Sequence, residues 1–164
     1  MTLLALVLLA VCHPGWSKGI TVRIEITGES LPAVIVITEP EIVEQFSIWQ
    51  GPNSGFVQPD GSLRSSYDRA IADFPAGTIE RPPDGVVRYT VRFFIARDRN
   101  SESGQIPYEV QYANVPASPG GFMFLPLENR SFIVHGVEGN WLRSTHTWEE
   151  LVRPVIAEAA TVSR

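Results

Sequence analysis

His135 and His146 are the only histidines outside the N-terminal segment, and imidazole is the side chain best suited to acid–base or metal chemistry near neutral pH. The two histidines are not spaced as metal ligands, and no acidic pattern flanks them. By alternation His135 shares a strand face with Ile133, which predicts a partly buried histidine with a hydrogen-bond partner. His146 lies between two threonines, just before a predicted helix. We favour structural roles for both over a catalytic or metal-binding pair, and expect no metal and no cofactor.

Two polar motifs are similar to functional loops but fail on spacing. The segment from Asp98 to Gly104 carries oxygen-bearing side chains at alternating positions, as a calcium loop does. Its glycine comes one place late and the closing Glu is missing, so a polar hairpin loop explains it better. The segment from Gly51 to Gly55 departs from the nucleophile motif G-x-S-x-G. The sequence therefore assigns no catalytic residue.

Four aromatic residues are candidates for ligand binding: Trp49, Phe56, Trp141 and Trp148. Two of them border glycine-rich segments, at residues 51–55 and 136–140. Aromatic rings beside open loops can hold a sugar or a peptide. The alternative, which we favour, is that these rings close the ends of a small β-sheet core.

The charge and the scarcity of reactive side chains exclude several classes of protein. A formal net charge of −5 and a pI near 5.2 leave no basic face, so nucleic acid is not an expected partner. Cys12 is the only cysteine, so a domain that begins after it has no disulfide and no thiol nucleophile. The single lysine, Lys18, lies next to the predicted cleavage site, which excludes lysine-based catalysis in the folded body.

Residues 1–17 are interpreted as a secretory signal peptide. Leu3 to Val11 is an unbroken apolar run too short to cross a bilayer, and Gly15-Trp16-Ser17 supplies a small-residue cleavage pattern. Export would leave residues 18–164 as a single β-rich domain, secreted or periplasmic. Alternatively, the stretch from Leu9 to Cys12 resembles a bacterial lipobox, and lipidation of Cys12 would then anchor the protein to a membrane.

The elements that must position these residues follow from periodicity and turn signals. The first half of the chain predicts strands at 20–27 and 33–38, a helix of about two turns entered through Thr38 and Pro40, an exposed loop at 51–66, a helical turn at 66–74 and an edge strand at 77–81. The second half predicts strands at 87–97 and 106–113, a strand pair at 122–127 and 131–137, a strand at 141–143 and a C-terminal helix capped by Thr147. Pro154 should kink or break that helix.

These elements predict a mainly β fold. We expect an antiparallel β-sandwich or flattened barrel of about seven or eight strands, with a short helix after the first hairpin and a C-terminal helix over one open end. A sandwich of this kind needs no disulfide when its core is large enough.

Two blocks of sequence carry a resemblance. They are residues 37–40 with 46–51, and residues 136–141 with 148–150. Both are similar to segments of small exported bacterial proteins of uncharacterised function. The resemblance implies export from a bacterial cell and assigns no catalytic residue.

The sparse, unclustered reactive groups favour a non-enzymatic binding or interaction module of the bacterial envelope or extracellular space. Its expected partner is a protein, a peptide or a glycan. The alternative is a secreted hydrolase that uses carboxylates or His135.

Overall fold

The computed structural model describes residues 18–52, 55–57, 59, 61, 63–100, 105–115, 118–131 and 133–161. The predicted signal peptide at 1–17, which includes Cys12, and the second half of the polar hairpin loop predicted at 98–104 lie outside these residues. Within them the elements follow in this order: β1 (Ile20–Thr27), β2 (Ile35–Ile37), α1 (Pro40–Val43), β3 (Gly55–Val57), β4 (Leu63–Ser65), a 3-10 turn (Phe74–Ala76), β5 (Thr78–Ile79), β6 (Val87–Ala96), β7 (Ile106–Asn114), β8 (Phe122–Phe124), a second 3-10 turn (Leu127–Ser131), β9 (Trp141–Arg143), α2 (His146–Leu151) and α3 (Arg153–Thr161).

Seven of these strands form one antiparallel sheet in the order β2-β1-β6-β7-β8-β9-β5. The sheet is open, with β2 and β5 at its edges, and β3 and β4 form a separate hairpin. The prediction of a mainly β, antiparallel fold with a C-terminal helix is confirmed. The long β6–β7 hairpin also pairs as predicted, with Phe93 opposite Tyr108 and Val91 opposite Val110.

One face of the sheet carries the core, and we call it the core face. Alternation along β6 places Tyr89, Val91, Phe93 and Ile95 there, all buried. The helices and the segments around Phe46 and Ile71 cover this face, and Trp148 from α2 lies at the centre of the packing. Its ring centroid is 5.4 Å from that of Phe46 and 6.0 Å from that of Phe93. The core is therefore one layer of sheet against one layer of helices and loops.

The opposite face, which we call the outer face, is crossed by a strap. Residues 80–86 connect β5 at one edge to β6 near the other, past β9, β8 and β7. Neighbouring strands are about 4.8 Å apart and an extended chain gains about 3.3 Å per residue, so this short strap must run nearly straight. Pro82 and Pro83 favour such extended backbone. Residues of the strap and Phe122, an outer-face residue of β8, line one cleft. Within the strap, Pro82 is buried.

One loop prediction and one strand-pair prediction are wrong. Residues 51–66 were expected to be an exposed loop, but they contain the β3–β4 hairpin, whose three-residue strands are too short to show alternation. The predicted strand pair at 122–127 and 131–137 is absent from the described residues. Instead β8 ends before Pro126, residues 127–131 form a 3-10 turn, and β8 pairs with β7 and β9. A proline cannot donate to a strand ladder, which is why β8 stops there.

The helix after the first hairpin and the C-terminal helix occur where they were predicted, but their caps differ. The helical turn predicted at 66–74 is not formed, since the first 3-10 turn begins only at Phe74. α1 has only four residues, and its N-cap is Glu39 rather than Thr38. α2 begins two residues earlier than expected, because the hydroxyl of Thr145, not Thr147, accepts from the backbone N–H of Trp148 at 3.3 Å. The chain breaks between α2 and α3, just before Pro154, as predicted. Among the described residues, no helix has the length and apolar character needed to cross a membrane.

Candidate functional site: a polar groove on the outer face

Trp148 has no surface to offer a ligand. Its side chain is 0% exposed and packs at the core face of the sheet, with its ring 5.4 Å from that of Tyr112. Thr145 caps the helix so that Trp148 points inward from its first turn. Trp148 is therefore a core residue, as the favoured interpretation of the sequence predicts.

Trp141 lies on the outer face, because Leu142 beside it points into the core. It is only 8% exposed. Its ring packs at 5.2 Å from that of Phe124, and the guanidinium carbon of Arg88 lies 5.3 Å from its centroid. Trp141 and Trp148 therefore lie on opposite faces of the sheet and share no surface.

Trp49 is half-buried at the start of the sheet. Its indole Nε1 donates to the carbonyl of Gly19 at 2.7 Å, which ties the segment after α1 to the first strand. Phe56 belongs to β3, and its side chain lies outside the described residues. The described aromatic candidates are thus held by packing and hydrogen bonds rather than gathered into one platform.

His135 is buried at the back of the core, with 1% of its surface exposed. It lies outside any strand, against the ring of Phe74 at 5.1 Å. Its Nε2 is 3.1 Å from the carbonyl of Ile48, and its Nδ1 is 3.4 Å from Oε1 of Glu138. The prediction of a buried histidine with a hydrogen-bond partner is confirmed, although its strand setting is wrong.

The electrostatics of His135 and Glu138 follow from their burial. Desolvation lowers the pKa of His135, and the nearby Glu138 charge only partly opposes this. A neutral ring can donate from Nε2 to the Ile48 carbonyl. Burial by itself raises the pKa of Glu138, but backbone N–H donors, chiefly that of His135 at 2.5 Å, outweigh it and lower that pKa. The Glu138 carboxylate thus stabilises the turn at residues 135–138 by accepting hydrogen bonds from its backbone.

His146 has different surroundings. Its side chain is 85% exposed, and its Nε2 lies 2.9 Å from Oε1 of Glu150, one helical turn away. The two histidines therefore form no common site. Among the described residues, no three His, Cys, Asp or Glu side chains converge as metal ligands.

Glu149 is the carboxylate with the richest contacts among the described residues, and the sequence did not single it out. Its two oxygens accept from the hydroxyl of Tyr112 at 3.0 and 3.2 Å, and from the backbone N–H of Gly121 at 3.1 Å. The hydroxyl of Ser144 and the guanidinium of Arg153 donate to it as well. Burial, followed by the charge of Glu149, raises the pKa of Tyr112 far above its usual value, so this hydroxyl remains a donor.

A groove on the outer face presents polar side chains to a ligand. It lies between the β1–β2 turn and the point where the strap joins β6, and its volume is about 750 Å³. That volume falls in the range of about 300–1,000 Å³ typical of small-molecule sites. Its polar side chains are four hydroxyls, one amide, one carboxylate and one guanidinium, from Thr27, Ser30, Tyr89, Thr90, Gln111, Glu29 and Arg88.

Strand register explains why these side chains meet. Thr90 on β6 is opposite both Thr27 on β1 and Gln111 on β7, so these three residues form one row across the sheet. Arg88 lies two residues before Thr90 on the same face. Among the described residues, neither Arg88 nor Glu29 forms a salt bridge, whereas the next row is occupied by the Arg92–Glu109 pair at 2.9 Å. The charges of Arg88 and Glu29 are therefore not neutralised by ion pairs within the described residues, although the Arg88 guanidinium lies over the Trp141 ring and Ser30 donates to the Tyr89 hydroxyl.

These groove residues carry no signal in the sequence, because each occupies an ordinary outward-facing position of a strand or turn. Alternation alone indicates that Thr90 and Gln111 point away from the core. Their adjacency depends on the β6–β7 register, and the walls depend on the strap. No protein-family model, curated protein or solved structure matches this chain.

Proposed function

We propose that this protein is an exported, non-enzymatic binding module that holds a glycan in the groove on the outer face. The observation that supports this most is the lining itself, in which Thr27, Thr90 and Gln111 form a row of neutral hydrogen-bonding side chains. A hydroxyl or an amide both donates and accepts, as sugar hydroxyls do. Arg88 adds a planar cation at one wall, suited to a carboxylate or other anionic substituent of a sugar.

The surroundings of the buried acids support a role in binding over catalysis. Glu149 is engaged by donors from one strand, two loops and a helix, and Glu138 by the turn that it closes. With exposures of 1% and 0% for the side chains of His135 and Glu138, that pair presents no surface on which a substrate could react. A general base must come within hydrogen-bonding reach of the proton it removes. The hydrolase alternative therefore has less support.

The proposed export rests on the apolar run and small-residue pattern of residues 1–17. N-terminal sequencing of protein recovered outside the cytoplasm should begin near Lys18. A chain that starts at a lipidated Cys12 would instead make the protein a membrane-anchored lipoprotein. Either outcome leaves the groove proposal intact, since the groove lies wholly in the described residues after Lys18.

The binding proposal is tested with a panel of soluble neutral and acidic oligosaccharides, followed by heteronuclear NMR. We expect shift changes centred on Thr90 and Gln111. Thr90→Val and Gln111→Leu remove hydrogen-bonding groups at nearly constant volume, so each should weaken binding about tenfold or more while the thermal midpoint hardly moves. Thr78→Val, on the distant edge strand β5, is the matched control. Binding that survives both groove substitutions, or shift changes elsewhere, would refute the groove as the site.

A further inference from the structure

The β2 edge of the sheet is an apolar strand that no other element covers in the described part of the chain. Residues 33–37 are Ala-Val-Ile-Val-Ile, and β2 is the terminal strand of the sheet. Val34 and Val36 are 51% and 53% exposed, although both are large apolar side chains. In an antiparallel pair, the N–H and C=O groups of every second residue of the edge strand point away from its partner. Such an edge is a template for one more strand.

The opposite edge of the sheet is different. β5 has only two residues, and the chain continues from it through Glu80 into the proline-containing strap. The difference lies in the side chains. β5 exposes the polar Thr78 and half-buries Ile79, whereas Val34 and Val36 at the β2 edge are apolar and more than half exposed. β2 is itself only three residues long, with Pro32 and Pro40 beyond its ends. The β2 edge is therefore the more apolar of the two.

Charge around β2 indicates what would pair with it. Glu29 lies before the strand, and Glu39 and Glu41 follow it, all three exposed. Among the residues that the structure describes, none of these carboxylates forms a salt bridge, and only Glu39 has a hydrogen bond, from the backbone N–H of Thr38 at 3.0 Å. The edge is thus an apolar strand with unneutralised negative charge at both ends.

We propose that β2 binds an extended basic peptide segment by strand addition: alternating apolar residues that lie beside Val34 and Val36, with Lys or Arg at both ends opposite Glu29 and Glu39. Backbone hydrogen bonds provide affinity in this mode, and side chains at alternate positions provide selectivity. A second copy of this chain fits less well. Pairing two β2 strands about a two-fold axis would bring Glu29 of one copy toward Glu39 and Glu41 of the other, and like charges repel. The inference does not depend on the groove.

The probe is a short synthetic peptide in which Val and Thr alternate between two lysines at each end. Its binding to the purified protein is measured by fluorescence anisotropy at low and moderate salt. A peptide with the same centre but glutamates at its ends should bind about tenfold more weakly, and added salt should weaken the basic peptide. Two further peptides carry backbone N-methyl groups on one or the other alternating set of amides. Strand addition requires that one set abolishes binding and the other does not.

Variants at the edge complete the test. Val36→Lys adds a positive charge beside the basic peptide and should weaken binding about tenfold, whereas Val36→Thr keeps the β-branched shape and should have little effect. Thermal melts check that both variants fold, and heteronuclear NMR spectra of the free variants check that the rest of the outer face is intact. The proposal is overturned if no basic peptide binds, if acidic and basic peptides bind equally, or if neither set of N-methyl groups matters. It is also overturned if sedimentation shows a dimer that Val36→Lys dissociates, since the occupant is then a second copy.

Discussion

The hydroxyl of Tyr112 donates to the carboxylate of Glu149 at 3.0 Å, which joins the core face of the sheet to the first C-terminal helix. The same carboxylate accepts from Gly121, in the turn before β8, and from Arg153 on the second C-terminal helix. One side chain therefore connects β7, the β8 turn and both helices. This contact explains how two short helices, separated at Pro154, stay in place over the core.

Glu149→Leu should destabilise the protein by about 2–3 kcal/mol, because it removes the charge-assisted hydrogen bonds from the Tyr112 hydroxyl and the Arg153 guanidinium. Urea melts give the free energy of unfolding. Glu150→Leu is the matched control. The neighbouring Glu150 side chain is 62% exposed, and within the described part of the chain its one ion-pair partner is the exposed His146, so its loss should cost less than about 1 kcal/mol. Equal losses of unfolding free energy for the two variants would contradict the role of Glu149 in holding the helices to the sheet.

Phe93→Ala should cost about 3–5 kcal/mol, the range for a large aromatic removed from a packed core. Phe93 is 0% exposed and contacts both Phe46 and Trp148. Phe94, the next residue, is on the outer face, where the guanidinium carbon of Arg23 lies 3.9 Å from its ring centroid. Phe94→Ala should therefore cost less, about 1–2 kcal/mol. If urea melts show the reverse order, the assignment of the two faces is wrong.

Stability should fall as the pH drops below about 6.5, the ordinary pKa of histidine. Burial lowers the pKa of His135 in the folded state, so the unfolded chain binds this proton more tightly. The stability due to the neutral ring is complete above the unfolded pKa and is lost as the pH falls toward the folded one. The lowered pKa of Glu138 acts in the same direction, but only below its ordinary value of 4.5.

His135→Gln tests this dependence, because glutamine can still donate to the Ile48 carbonyl but does not titrate. Urea melts between about pH 5 and pH 8 should show a shallower loss of stability on acidification for this variant than for the parent. A slope in His135→Gln that equals the parent's would show that the acid sensitivity comes from another group.

Gly51→Ala should be more destabilising than Gly77→Ala by at least about 1 kcal/mol. Both glycines have positive φ, +149° and +77°, so both substitutions strain the backbone. A Cβ at Gly51 would also come within 2.5 Å of Cδ2 of His135 and 2.9 Å of the Phe74 ring, whereas one at Gly77 meets nothing within 4 Å. Thermal and urea melts compare the two. Equal costs would mean that His135 can move away freely.

Local patterns were enough to predict most of the sheet. The alternation in β1, β6 and β7 persists over eight to ten residues, long enough to separate a strand from a helix, and their side-chain faces came out as expected. The break before Pro154 also followed from local chemistry, since proline removes a helix hydrogen bond whatever surrounds it. Trp148 was correctly favoured as a core residue, although its helix cap was placed two residues late.

Short elements were predicted less completely. β9 has the predicted bounds, Trp141–Arg143, but β8 is shorter than expected and β3 and β4 were not expected. These strands have three residues each, so their pairing comes from long-range contacts and not from periodicity. Tertiary structure alone directs Glu149 inward, because its partners come from residues 112, 121, 144 and 153, which the sequence separates widely. The outer-face groove has the same origin: Thr27, Thr90 and Gln111 become neighbours only through strand register, and the strap that forms one wall crosses three strands to reach them. The sequence by itself determined which residues point away from the core, since alternation is a property of each strand, whereas the folded sheet decided which of those residues meet.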